Sequence, residues 1–287
     1  MAYYFYCWPS FFMLLAIDTT QRNLHLGLYH PEKLPTKPEA PLLGNEIHSE
    51  ETYFPHQLVV TRYATGKNRY HSGIIIPAIK QLLEAYTIEL EALTGILVNI
   101  GPGSFTGVRT GLVTVRTMAQ FFPVKVFGFS TFHLLAYHFM NLKSSIITKE
   151  KPSAETTLYV TASRGKAYHS VVVLEKDQVF FKVSPDVIDL NQGIHLEQLK
   201  TMPLNALLLV DDELAPFFPG FSSSQQTPPS TSAVPFFFNA KTISTVPAMI
   251  ALMKHYPKLF ETSWENLHPF YCQSPSITIS DKGKKQL

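Results

Sequence analysis

Residues 96–122 read ILVNIGPGSFTGVRTGLVTVRTMAQFF, and the pattern changes twice along this stretch. Residues 96–100 form a short apolar run with the length of a buried strand. Gly101-Pro102-Gly103 interrupts it with turn chemistry. After Ser104, Val108, Leu112, Val115, Ala119 and Phe122 return at helical spacing. Residues 124–129 then read as a strand and 131–140 as a helix. Strand, helix, strand in this order implies parallel pairing by crossover, so the fold class is α/β.

Upstream, residues 11–17 are a second buried run, ending at Asp18-Thr19-Thr20. Leu24, Leu26 and Leu28 alternate like a half-buried strand, and residues 57–63 supply a third. Five prolines between Pro31 and Pro55 predict a long loop there. Ile75, Ile79, Leu82, Leu83 and Tyr86 predict a helix capped by Ser72, with Pro77 in its first turn.

Downstream, the polar, lysine-bearing residues 141–155 mark a boundary. Strands follow at 157–161, 168–174, 179–183 and 207–210, with helices near 194–200 and 247–260. Both halves thus begin with three strands and continue with helices, a weak internal duplication. The expected organisation is an extension over 1–12, a first lobe over 13–142 and a second over 143–287. The second carries a Pro/Ser/Phe-rich surface loop near 216–238.

Composition narrows the function. The 287 residues carry 24 Lys+Arg against 22 Asp+Glu, too even a balance to hold nucleic acid by charge alone. Cys7 and Cys272 are too few for a disulfide framework or a four-cysteine zinc site, which fits a reducing cytoplasm. The apolar N-terminus lacks a basic flank and meets Asp18 before the ~20 residues a span requires, so no membrane association is expected.

Three features bear on chemistry. The turn 101–109 (GPGSFTGVR) has no Gly-Lys-Ser/Thr ending, and Thr106 stands where a dinucleotide fingerprint needs glycine. It reads as a close-packing turn. Asp18 and Asp211, the latter leading Asp211-Asp212-Glu213, follow strands at matching places in the two halves, where carboxylates can reach a metal or phosphate. Aspartate before a helix is also a routine cap. The eleven histidines include no H-x-x-x-H pair, and no catalytic constellation assembles.

The two helices are poor in ions. Arg109 and Arg116 are the only charges between Ser104 and Pro123, and Gly107, Gly111 and Thr114 form a stripe of small residues. The helix over 75–86 holds only Lys80 and Glu84. A solvated helix shows a charged face opposite its core. Either both helices are covered within their own lobe, or they present a surface to another subunit.

The stretches LLAIDTT (14–20), RYHSGIIIPAIKQLL (69–83) and GPGSFTGVRTGLVTVRTMAQ (101–120) together resemble the TsaB (YeaZ) family. In the second half only SRGKAY (163–168) and PFY (269–271) share in the likeness. The resemblance implies a two-lobed actin/hexokinase-like (ASKHA) fold, each lobe a mixed sheet with helices. It implies a cytoplasmic, non-catalytic subunit of the complex that forms N6-threonylcarbamoyladenosine at position 37 of tRNA. Such a subunit docks on the catalytic subunit TsaD, is joined by the ATPase TsaE, and meets tRNA only through the complex. Self-association through the same helices is a further implication.

ATP, ADP and metal would then sit on the partners. The docking residues carried over are Ile75, Ile79, Leu82, Gly107, Arg109, Gly111, Thr114 and Arg116. Val210-Asp211-Asp212 stands where the family often has a Gly-Asp-Gly turn, which argues against nucleotide binding by this chain alone. The rival expectation is an active ATP-dependent phosphotransferase of the same fold, using Asp18 and Asp211.

Overall fold

The computed structural model describes residues 12–32, 34, 49–54, 57–63, 71–144, 153–161, 166–175, 179–189, 206–210, 236–239 and 244–272. The chain opens with β1 (Met13–Asp18) and β2 (Leu24–Tyr29), then β3 (Ser49–Phe54) and β4 (Leu58–Tyr63). Helix α1 (His71–Ala85), β5 (Leu93–Gly101), α2 (Phe105–Phe121), β6 (Lys125–Ser130) and α3 (Thr131–Ser144) follow. A second group comprises β7 (Ser153–Thr161), β8 (Lys166–Glu175), β9 (Val179–Asp189), β10 (Ala206–Val210) and β11 (Phe236–Asn239). The described chain closes with α4 (Val246–His255), α5 (Pro257–Phe260) and β12 (Glu261–Thr262).

The strands make two sheets, ordered β12-β6-β5-β1-β2-β4-β3 and β11-β10-β7-β8-β9. In each, a leading strand pairs antiparallel with the next (β1 with β2, β7 with β8) and parallel on its other side (β1 with β5, β7 with β10). With the edge strands β3 and β12 set aside, both sheets have the order third, second, first, fourth, fifth. The duplication expected from the sequence is thus a repeated topology.

β1 is buried along its whole length because its two faces feed different cores. Leu15 and Ile17 join Leu24, Leu26, Ile96 and Val98 beneath α1 and α2. Leu14 and Ala16 look the other way, toward α3 and α4. That second core continues through Phe132, Leu135, Met249 and Leu252 to Leu158, Val160 and Val172 of the other sheet. Helices α3 and α4 therefore lie between the sheets.

Four expectations are corrected. The loop expected over 31–55 contains β3, which pairs with β4 from Ser49↔Tyr63 to Phe54↔Leu58. Helix α1 begins at His71, so Ser72 lies inside its first turn and is no cap. The expected helix over 247–260 is broken at Tyr256, because Pro257 has no N–H to continue the ladder. Residues 246–262 fall within the expected second lobe, yet α4 packs on β1, β2, β4 and β5, and β12 pairs with β6. Phe236–Asn239 of the stretch near 216–238 pairs parallel with β10. The expected helix near 194–200 lies outside the described residues.

Candidate protein-interaction face

The turn 101–104 and the end of β1 are tied by buried polar contacts. Asp18 is fully buried. Its Oδ1 accepts from Thr20 N at 2.8 Å and Thr20 Oγ1 at 2.7 Å, and its Oδ2 accepts from Thr245 Oγ1. Asn99 Nδ2 donates to Thr20 Oγ1 at 3.1 Å, while its Oδ1 accepts from Gly101 N at 3.0 Å. Thr131 Oγ1 shares its proton between Pro102 O, at 2.7 Å, and Asn99 Oδ1, at 3.0 Å. Ser104 N donates to Thr20 O at 2.7 Å, and Ser104 Oγ caps α2 by accepting from Gly107 N at 3.2 Å.

This network explains the glycines. Gly101 has φ +103°, a conformation that disfavours side chains. A Cβ at Gly103 would lie 2.5 Å from Thr20 O, and one at Gly107 2.0 Å from Thr19 O. The GPGSFTG segment therefore holds its helix hard against the β1–β2 turn. These close approaches support the close-packing reading of the turn.

The predicted docking residues separate into two groups. Ile75, Ile79 and Leu82 belong to the core under α1 and α2. Gly107, Gly111 and Thr114 are buried. A Cβ at Gly111 would meet Thr19 Oγ1 at 2.5 Å, so the small-residue stripe receives the chain's own β1–β2 turn. These six are corrected from surface to interior. Arg109 is exposed and Arg116 half-buried. Asp211 lies outside the described residues.

The outward faces remain poor in ions. On α2, Arg109, Val113, Thr117 and Gln120 are exposed, with Val113 at 64% and Phe121, at the helix end, at 76%. On α1, Gly73, Ile76, Pro77, Lys80 and Glu84 are exposed, with Ile76 at 57% and Lys80 paired to Glu84 at 3.6 Å. Helices α1 and α2 pack against each other, so these outward faces are neighbours. Ile76 and Val113 escaped the sequence reading because it followed the inner stripes. Both stand one step off those stripes, where an exposed helix normally carries a charge.

Among the described residues no three His, Cys, Asp or Glu side chains are placed to hold a metal ion, and no helix is long and apolar enough to cross a membrane. Burial, and then the nearby Asp186 carboxylate, push the Cys272 thiol up to about 12, so it stays protonated at neutral pH. Burial also lowers the pKa of His25, against the opposing pull of Asp18.

His133, on α3, stacks on Phe181 at 4.5 Å and meets Phe260 edge-on at 5.6 Å. Burial lowers its pKa from 6.5 to about 4. The folded state therefore resists a proton that the unfolded chain accepts. Stability should be complete above pH 6.5 and fall as pH drops toward 4, by at most about 3 kcal/mol. Urea unfolding across that range is expected to show His133→Phe less acid-sensitive than the native chain. The remaining sensitivity would include His25, which acts with the same sign.

Three comparisons bear on kinship. The family model "TsaD: tRNA N6-adenosine threonylcarbamoyltransferase" matches residues 60–201. A Bacillus subtilis (strain 168) relative called "tRNA threonylcarbamoyladenosine biosynthesis protein TsaB" is 33% identical over 120 residues, covering 41% of this chain and 50% of that one. A Buchnera aphidicola protein of the same name is 32% identical over 76 residues, 26% of this chain and 36% of its own. Over the matched stretches the chain is similar to the TsaB (YeaZ) family.

The fold of this chain is that of two solved structures from Pseudomonas aeruginosa. One is described as similar to peptidase YeaZ, with TM-score 0.59, 15% identity, and coverage of 91% of this chain and 100% of that one. YeaZ itself superposes with TM-score 0.57, 15% identity, and coverage of 91% and 99%. In sequence, the chain spans about half the length of the Bacillus TsaB and 36% of the Buchnera protein.

Proposed function

We propose that this chain is a non-catalytic subunit of the assembly that forms N6-threonylcarbamoyladenosine at position 37 of tRNA, and that it docks on TsaD. The observation that carries the docking reading is the outward face of α1 and α2, where Ile76 and Val113 lie open beside few ions. A face of this kind loses little on desolvation and gains from burial against a second apolar surface. The repeated strand order supports a two-lobed ASKHA arrangement, one lobe on each sheet, with residues 246–262 returning to the first. The names of the relatives supply the modification.

Docking acts by differential contact: a partner conformation that meets this face is stabilised over one that does not. In this scheme TsaD carries the metal and the transfer chemistry, TsaE supplies ATP turnover, and tRNA reaches the chain only within the cytoplasmic complex. A second copy of the chain can occupy the same face when TsaD is absent. A phosphotransferase would need Asp18 open to metal or phosphate, whereas the residue is fully buried and accepts from three donors of its own chain.

Sedimentation of the purified chain with TsaD from the same cells tests the proposal. The native chain is expected to form a complex at micromolar concentration. Val113→Glu should abolish it, because a carboxylate would be buried without a partner, while melting stays within about 0.5 kcal/mol of native at so exposed a site. No complex with the native chain, or undiminished binding by Val113→Glu, refutes the docking reading.

A further inference from the structure

We infer that Arg109 is a pre-oriented anchor for a carboxylate of the docking protein, and that Tyr271 and Phe105 are the positioning residues that hold it. The inference rests on the docking reading and adds the chemistry of the contact. The Arg109 guanidinium lies over the Phe105 ring, 4.0 Å from its centroid. Its Nε donates to Tyr271 Oη at 3.1 Å. The Tyr271 ring in turn stacks on Phe105, with centroids 4.9 Å apart. An exposed arginine is ordinarily free among many rotamers, and a stack plus a hydrogen bond to Nε removes most of that freedom.

Tyr271 is itself held. The preceding Phe270 donates its N–H to Ile100 O at 2.8 Å, and its ring stacks on Phe181 of β9 at 5.9 Å. The segment after β12 thus returns across the end of β5 to brace α2. Among the described residues, that leaves the guanidinium's two terminal amino groups as the unspent donors. Those groups suit both oxygens of one carboxylate.

Charge selects the occupant. Among the described residues neither Arg109 nor Arg116 is paired with a carboxylate, while Lys80 is already matched by Glu84. Among the described residues the face is therefore apolar, with Arg109 and Arg116 of α2 lacking a carboxylate partner. Val113, one turn beyond Arg109, is exposed and apolar. A phosphate backbone offers nothing to cover such a residue, whereas a helix bearing Asp or Glu beside leucine or valine covers both. The occupant is thus an acidic side chain on a protein surface.

The test is binding to TsaD at several salt concentrations, with melting temperatures for every variant. Arg109→Lys keeps the charge but loses the fork, and is expected to weaken binding about tenfold. Tyr271→Phe keeps the ring stack and loses only the hydroxyl, so about threefold weakening with an unchanged melting temperature is expected. The two losses should not add, because Tyr271 acts through Arg109: in the Arg109→Lys background, Tyr271→Phe should change nothing further.

Arg109→Gln should flatten the salt dependence of binding. Native binding that is indifferent to Arg109→Lys and Tyr271→Phe overturns the inference and spares the docking reading. Failure of the native chain to bind TsaD overturns both. Tight binding of tRNA by the chain alone, lost in Arg109→Gln, overturns the choice of a carboxylate in favour of phosphate.

Discussion

Gly107→Ala is expected to cost about 3 kcal/mol or more of folding stability, whereas Gly73→Ala should gain about 0.5–1 kcal/mol. Both glycines stand in helices, where alanine has the better intrinsic propensity. Space decides the sign. Nothing lies within 4 Å of a Cβ built at Gly73. At Gly107 the new atom would sit 2.0 Å from Thr19 O, with His71 Nδ1 also near at 3.2 Å. A backbone oxygen cannot swing aside like a side-chain tip, so α2 or the β1–β2 turn must move by about an ångström. Either movement strains the bond from Thr19 Oγ1 to Gly107 O, 2.7 Å in the native chain, and the bond from Ser104 N to Thr20 O. Urea titration of the three proteins checks the pair of signs. A Gly107→Ala chain as stable as native would mean that α2 does not bear on this turn.

The same glycine shows what the sequence discloses and what it withholds. Period and turn chemistry place α2 within one residue at each end, because an apolar stripe at helical spacing leaves little choice. The parallel core follows from strand and helix alternation for the same reason. A stripe of small residues says only that something approaches closely. Gly107, Gly111 and Thr114 suggested another subunit, and the visitor is Thr19, 88 positions upstream of Gly107. Chain order carries no signal for that encounter.

β3 was hidden for a different reason. Its six residues, SEETYF, lack both an apolar run and clean alternation, and as an edge strand it pairs on one side only. The return of α4 and β12 to the first sheet is a tertiary event that local propensity cannot register. The paucity of ions, unlike the choice of residues, was legible in the sequence. It pointed to two helices with ion-poor outward faces, while six of the eight named residues lie on the inner faces and Arg109 and Arg116 do not.

Asp18→Ala is expected to destabilise the chain by about 3 kcal/mol or more, with Asp18→Asn costing about 1 kcal/mol. Alanine removes the acceptor for Thr20 N, Thr20 Oγ1 and Thr245 Oγ1 at once, where all three residues are buried. Each stranded buried donor costs about 1–3 kcal/mol, and the hydroxyls recover part of that by rotating to other acceptors. Asparagine keeps an oxygen where Oδ1 stands, so both bonds from Thr20 survive. Its amide group then faces Thr245, whose hydroxyl can turn from donor to acceptor.

Losing the Thr245 bond matters beyond the turn. It joins the end of β1 to the residue before α4, and so fastens a late segment of the chain to the first sheet. Thermal unfolding of both variants, beside a titration with ATP·Mg²⁺, separates the two roles open to this carboxylate. A structural Asp18 gives large loss for alanine, small loss for asparagine, and no nucleotide turnover in any of the three proteins. A catalytic Asp18 gives near-native melting for both variants and a turnover in the native chain that both abolish.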